Sequence, residues 1–122
     1  MKRVAGIFVL LAFCTGAAMA FSVAADEDKP AYTVKKVMGM AHKGGLLKKV
    51  TAGDASSDEK KQLLELYIAL WENKPSKGDA ASWTDKSSAA VVGAARVVLG
   101  QDGAEDKLKK AVNCGACHKI HK

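Results

Sequence analysis

The sequence predicts an all-α protein whose helices form a four-helix bundle. Apolar residues recur at three- and four-residue spacing in four separate segments, which is the period of a helix buried on one face. Short glycine-rich or polar connections separate these segments, and no segment alternates between apolar and polar residues as a strand would. Four helices joined by three short connections around a single core favour an up-down-up-down bundle.

Residues 1–20 are predicted to be a signal peptide that precedes the bundle. Residues 1–3 are Met-Lys-Arg, residues 4–13 are almost wholly apolar, and Ala18-Met19-Ala20 fits the small-residue cleavage pattern. A second cleavage site follows Ala25. Because the apolar run is shorter than the about 20 residues of a membrane span, we expect an exported, periplasmic protein with no stable membrane insertion. Its one small domain then occupies residues 26–122.

The first helix is predicted from about Ala31 to Val50. Its buried face is marked by four residues at helical spacing: Val34, Val37, Met38 and Ala41. The pair Gly44-Gly45 interrupts this pattern, and glycine costs about 1 kcal/mol relative to alanine inside a helix. A kink or a break is therefore expected at the glycine pair.

The second helix has the clearest start of the four. Ser56 and Glu59 have the spacing of a capping box, and Asn73-Lys74-Pro75 is predicted to end the helix. The residues between them supply a predicted core stripe: Leu63, Leu64, Tyr67, Ile68, Leu70 and Trp71.

The third helix is predicted to begin at Ser82, after a polar connection over residues 75–81. It is rich in alanine and contains Gly93, and the turn over residues 100–103 ends it. Small residues on a helix allow a close approach, either to a neighbouring helix or to a bound cofactor. An ordinary core packed with small side chains explains the composition equally well.

The fourth helix is predicted from about Ala104 through the C-terminal motif, with Leu108, Ala111 and Val112 on its core face. That motif, Cys114-Gly115-Ala116-Cys117-His118, is the Cys-x-x-Cys-His sequence that attaches a c-type haem. Thiols three positions apart on a helical turn can each form a thioether with one porphyrin vinyl group, and the adjacent imidazole can bind the iron. We therefore expect one covalent haem c on Cys114 and Cys117, with His118 as the proximal iron ligand.

Two other chemistries use the same residues. A redox-active Cys-x-x-Cys pair normally follows a strand, and none is predicted here. A zinc site could use Cys114, Cys117 and His121, with or without His118, but a structural zinc usually draws a second ligand pair from elsewhere. Cys14 leaves with the signal peptide, and His42 is the one further histidine of the mature chain.

The charge of the chain points to a soluble protein. Its net charge is +6, and removal of Lys2 and Arg3 with the signal peptide leaves 17 basic against 13 acidic residues, a net charge of +4. Lysines are spread through every segment, so a nucleic-acid partner is not expected. A modest positive charge suits steering toward an acidic partner protein.

A Cys-x-x-Cys-His motif on the last of four helices resembles the class II cytochromes c, the group of cytochrome c prime and its low-spin relatives. The resemblance covers the mature chain in architecture, while the specific motif is confined to Cys114–His118. Members of this family often carry an aromatic and then a basic residue shortly after the motif. Here Ile120, His121 and Lys122 follow, and the mature chain is shorter than is usual for the family.

The resemblance implies that the first helix covers the haem face opposite His118. A methionine there gives a six-coordinate electron carrier, and an apolar residue leaves the iron open to small gases. Met38 lies on the inward face and is the favoured sixth ligand, whereas Met40 points roughly 200° away at about 100° per residue. His42 is the alternative ligand. His121 is expected near the haem edge or solvent.

These observations predict a periplasmic c-type cytochrome that transfers one electron at a time and is not an enzyme. The alternative is a five-coordinate haem protein that binds NO or CO. The expected partners are redox proteins with an acidic surface, and a homodimer is compatible with the pattern. Tyr67, Trp71 and Trp83 are candidates to line the haem pocket, although aromatic residues at core spacing usually fill volume.

Overall fold

The computed structural model describes residues 29–122, and within them the protein is all-α, as predicted. There are six α-helices and one π-helical stretch, and no strand occurs in this part of the chain. The elements are α1 (Val34–Val37), the π segment (Met38–Lys43), α2 (Leu46–Thr51), α3 (Ser57–Glu72), α4 (Ala80–Val98), α5 (Ala104–Ala111) and α6 (Cys114–His121). The predicted signal peptide lies outside the described residues.

The predicted first helix is divided in the way that the glycine pair indicated. Thr33 caps α1 by accepting a hydrogen bond from the backbone N–H of Lys36 at 3.2 Å. The helix then widens, because the N–H of Gly44 donates to the carbonyl of Gly39 at 2.8 Å, a bond across five residues. The helix ends at the glycine pair, where Gly45 is left-handed, and α2 begins at Leu46. The predicted break is confirmed, whereas the π segment was not foreseen.

Helix α3 begins with the predicted capping box. Ser56 Oγ accepts from the Glu59 N–H at 3.2 Å, and Glu59 Oε2 accepts from the Ser56 N–H at 2.8 Å. The buried face of α3 consists of Leu63, Leu66, Tyr67, Ala69 and Leu70. The predicted stripe was therefore wrong at two positions. It omitted Leu66, which is fully buried, and included Trp71, which is 47% exposed. The buried arc follows the i, i+3, i+4, i+7 spacing, which omits Trp71.

Helix α4 begins at Ala80, earlier than predicted. Asp79 is its N-cap and accepts a hydrogen bond from the Ser82 N–H at 2.7 Å, so Ser82 belongs to the first turn. A Cβ placed on Gly93 would lie 2.9 Å from Leu108 Cδ1. This glycine lets α4 and α5 approach closely, so at Gly93 the close approach is to a neighbouring helix.

The predicted fourth helix is two helices. Val112 leaves the helical conformation, with φ −88° and ψ 83°, and Asn113 then caps α6. Helices α3 and α4 pack most extensively on each other; α5 packs on α4, and α1 and α2 pack on α3. The largest fully buried side chains are Tyr67, Leu63, Leu66, Leu108, Val37 and Val50. None of the helices between residues 29 and 122 is long and apolar enough to cross a membrane.

Candidate functional site

The first turns of α6 bring three reactive side chains onto one helix face. Asn113 Oδ1 accepts a hydrogen bond from the Ala116 N–H at 3.0 Å, which starts the helix immediately before the motif. Cys114, Cys117 and His118 then stand at positions i, i+3 and i+4, which lie on the same side of a helix. Both thiols are free, Cys114 exposed and Cys117 partly buried.

These three residues line a cavity of about 80 Å³ with side chains from four other helical elements. Met38 and His42 of the π segment, Tyr67 of α3 and Trp83 of α4 are among them. A second cavity of about 460 Å³ adjoins the first and shares five lining residues with it: Met38, His42, Trp83, Cys117 and His118. The smaller cavity therefore brings together the predicted attachment and ligand residues, which are Cys114, Cys117, His118, Met38 and His42. Trp71 alone of the predicted pocket aromatics lines neither cavity.

Met38 and Met40 occupy different sides of the π segment. Met38 lines both cavities beside His118, whereas Met40 lines a separate cavity with Leu46 and Lys49. The predicted divergence of the two methionines is thus seen in the structure. Met38 supplies the thioether that faces the cysteine and histidine motif.

His42 is hydrogen-bonded to Tyr67, which the sequence placed on the core stripe and among the candidates to line the haem pocket. His42 Nε2 lies 3.2 Å from Tyr67 Oη, and the two rings meet at 67° with their centroids 6.1 Å apart. Burial, and to a smaller extent the nearby His118, lowers the pKa of His42. Burial first, and the charge of Cys114 second, raises the pKa of Tyr67. At neutral pH the pair is therefore a neutral imidazole and a protonated phenol. The sequence offered one clue to this hydrogen bond. Tyr67 lies on a predicted buried stripe, and a buried tyrosine hydroxyl usually needs a hydrogen-bond partner.

The thiol of Cys117 is kept protonated by its surroundings. Burial is the largest cause that raises its pKa, and the charge of Cys114 adds to this effect. The ammonium group of Lys86 acts in the opposite direction. Burial on the cavity wall therefore favours the neutral thiol of Cys117 over the thiolate.

His121 is buried, which corrects the alternative that it lies in solvent, and it lines the larger cavity. Its Nδ1 lies 2.7 Å from the carbonyl oxygen of Lys77, and because a carbonyl only accepts, Nδ1 carries the proton. Its Nε2 lies 3.2 Å from Ser82 Oγ. Both ring nitrogens are thus engaged in holding α6 against the start of α4. A sequence pattern could not reveal this role, because the two partners are about 40 residues away along the chain.

The zinc alternative has no ligand cluster in the described part of the chain. No three side chains of His, Cys, Asp or Glu between residues 29 and 122 are grouped so that they could hold a metal ion. His121, the histidine that the zinc hypothesis required, uses both ring nitrogens in the hydrogen bonds to Lys77 and Ser82.

Positive and polar groups surround the otherwise apolar cavities. Lys86 lines the smaller cavity, and Lys35, Lys43 and Lys122 line the larger one. Among the described residues no Asp or Glu lines either of them. The indole Nε1 of Trp83 is buried and has no hydrogen-bond partner within residues 29–122. A ligand with a large apolar body and acidic groups at its edge fits this set of side chains.

Similarity to other proteins does not assign the site. Comparison with protein-family models, with curated proteins and with solved structures finds no match for this chain. The function is therefore argued from the residues of the chain itself.

Proposed function

We propose that this protein is a periplasmic c-type cytochrome that transfers single electrons through one covalent haem c. One observation carries the proposal: Cys114, Cys117 and His118 converge on one cavity wall, and Met38 lines the same cavity from another element. This is the donor set of a thioether-attached haem with histidine and methionine as axial ligands. The cofactor, when bound, supplies the one-electron iron couple.

The remaining residues of the site provide the environment for that cofactor. Leu70, Ala90 and Val112 contribute apolar surface, which excludes water and helps to set the reduction potential. The lysines beside the cavities offset the negative charge of the propionates. Trp83 Nε1 is buried and has no partner among residues 29–122, so it is a donor available to an acidic group of the cofactor.

The fold that we propose for this function is a four-helix bundle with two interrupted helices. The α1–π–α2 stretch serves as the first helix of the bundle, α3 and α4 serve as the second and third, and α5 with α6 serves as the fourth. The extensive α3–α4 packing and the α4–α5 packing support this interpretation. The resemblance to the class II cytochromes c leads to the same architecture.

We further propose that an acidic redox protein docks over the lysines at the cavities. Lys35, Lys43 and Lys122 are exposed there. The proposed docking predicts that the association rate falls as ionic strength rises, because salt screens exposed charges beyond about 10 Å at 0.1 M. Export to the periplasm follows from the signal peptide predicted at residues 1–20.

The decisive experiment produces the full chain in a bacterial host with haem-attachment machinery. We expect the mass of the mature protein to include one haem that survives acid–acetone extraction. The Cys114→Ser/Cys117→Ser variant, the matched control, should lose the haem under that treatment. A mature protein with only the polypeptide mass would overturn the proposal. A ferrous protein that binds carbon monoxide rapidly would instead favour the gas-binding function.

A further inference from the structure

We infer that Tyr67 selects the sixth iron ligand by holding the His42 imidazole out of coordination, so that Met38 takes the position. Tyr67 is thus a positioning residue that acts through His42. The inference rests on the proposed function, because it concerns the protein with haem attached. It assigns a role to a buried polar contact that electron transfer by itself does not require.

Position alone does not distinguish the two candidate ligands. Met38 and His42 are four residues apart on the π segment, and both line the two cavities together with His118. Imidazole and thioether are both established axial ligands of haem iron. A further interaction must therefore decide between them.

The hydrogen bond between His42 and Tyr67 provides that interaction. If Tyr67 donates its hydroxyl proton, the lone pair of His42 Nε2 is used in accepting it, at 3.2 Å. If His42 donates instead, Nε2 carries a proton and has no free lone pair. In both arrangements Nε2 is blocked as a metal ligand. The other nitrogen, Nδ1, is next to the ring carbon that bears the side chain and is the more crowded of the two.

Tyr67 is itself held firmly in place. Its side chain is fully buried on α3, and His42 is the partner that its hydroxyl has among the described residues. If His42 turned toward the iron, a buried hydroxyl would lose its partner, which is unfavourable. Met38 has no competing bond of this kind, since its sulfur is a weak acceptor.

The test uses the haem-loaded protein and replaces Met38, so that His42 is the remaining candidate for the sixth iron ligand. We expect Met38→Ala to give a five-coordinate, high-spin ferric iron and rapid carbon monoxide binding in the ferrous state, because Tyr67 still restrains His42. Met38→Ala/Tyr67→Phe should give a low-spin bis-histidine iron, with loss of the high-spin electron paramagnetic resonance signal. Adding His42→Ala to this pair should restore the high-spin signal, which separates ligand exchange from a general disturbance of the fold.

The matched control replaces the other tyrosine of the described residues. Met38→Ala/Tyr32→Phe should remain high-spin, since Tyr32 has no bond to His42. A low-spin bis-histidine signal in Met38→Ala with Tyr67 intact would overturn the inference, and so would a double variant with Tyr67→Phe that stays high-spin while circular dichroism shows it folded. Absence of covalent haem by mass would overturn the proposed function and this inference together.

Discussion

The imidazole of His121 and the indole of Trp83 meet edge to face, with ring centroids 5.3 Å apart and an angle of 85° between their planes. The same imidazole is bonded to the Lys77 carbonyl and to Ser82, on either side of the start of α4. Trp83 also lines both cavities of the candidate site. The last turn of α6 is therefore fixed to the element that forms one cavity wall, which holds the preceding turns with Cys117 and His118 in register.

The close approach of Gly78 to this histidine gives a stability prediction. Gly78 has φ +79°, and a Cβ there would lie 2.6 Å from His121 Nδ1. Gly100 has φ +68° and nothing near an added Cβ, so it is the matched control. We expect Gly100→Ala to cost about 1–2 kcal/mol for the left-handed backbone, and Gly78→Ala to cost about 1–3 kcal/mol more because of overpacking.

Urea unfolding of the holoprotein measures both free energies. In a His121→Ala background, Gly78→Ala should cost less than it does in the wild type, because the clashing ring has been removed and only Ile120 Cγ2, 2.7 Å from the added Cβ, still opposes it. Equal destabilisation by Gly78→Ala and Gly100→Ala would show that His121 does not occupy this position in solution.

If His118 is the proximal iron ligand, its replacement should change the coordination of the iron but not the covalent attachment of the haem. His118→Ala should retain the haem mass on Cys114 and Cys117, because the thioethers do not involve the imidazole. Its absorption spectrum should lose the features of the wild-type iron, since the axial nitrogen is gone. Lys119→Ala, an exposed change next to it, should leave the spectrum unaltered. An unchanged spectrum of His118→Ala would contradict the assignment.

The two methionines provide a matched pair for the distal assignment. A thioether bound to ferric haem gives a weak long-wavelength charge-transfer band and stabilises ferrous iron. We expect Met38→Ala to remove this band and to change the reduction potential. Met40→Ala, a change of the same size two residues away, should retain both. Loss of the band in Met40→Ala but not in Met38→Ala would show that Met40, not Met38, faces the iron.

The lowered pKa of His42 predicts how folding stability depends on pH. The unfolded chain binds a proton on this histidine near its usual pKa of about 6.5, while the folded chain binds it only at lower pH. The unfolded state therefore holds more protons below about 6.5, so this residue makes the free energy of unfolding fall as pH falls. The free energy of unfolding should change per pH unit by less than the release of one whole proton would give, because His42 is only half-buried.

The comparison that isolates this effect is between the wild type and His42→Gln. Glutamine retains a polar group near Tyr67 but does not titrate in this range. Urea unfolding at several pH values should show a smaller loss of stability in His42→Gln as the solution becomes more acidic. Parallel stability curves for the two proteins would be inconsistent with a buried, neutral His42.

Features set by neighbouring residues were predictable from the sequence. The Ser56–Glu59 capping box, the break at the glycine pair and the divergence of Met38 from Met40 depend on local hydrogen bonds and helical periodicity. The Cys-x-x-Cys-His motif was evident for the same reason, since its three reactive groups lie within five consecutive residues. These features depend little on the rest of the fold.

Features set by distant contacts were not predictable in this way. Asp79, not Ser82, caps α4, which leaves the Ser82 hydroxyl free for His121, 39 residues further along the chain. The His42–Tyr67 bond spans 25 residues and requires α1, the π segment and α3 to be packed already. Such tertiary contacts override local preferences, which a single sequence does not reveal.

The π segment places one more residue between α1 and α2 than an α-helical turn would. Its bond from Gly44 to Gly39 encloses one more residue than an α-helical turn, so it acts as an in-place insertion of a single amino acid. Deleting Gly39, which has open space where a Cβ would lie, would convert the turn to an α-helix. Because the deletion removes only the residue that the wide turn accommodates, the residues after it would keep about their present orientation relative to α1. A one-residue deletion should thus be tolerated there more readily than inside α3, because Val37 and Val50 could still both face the core.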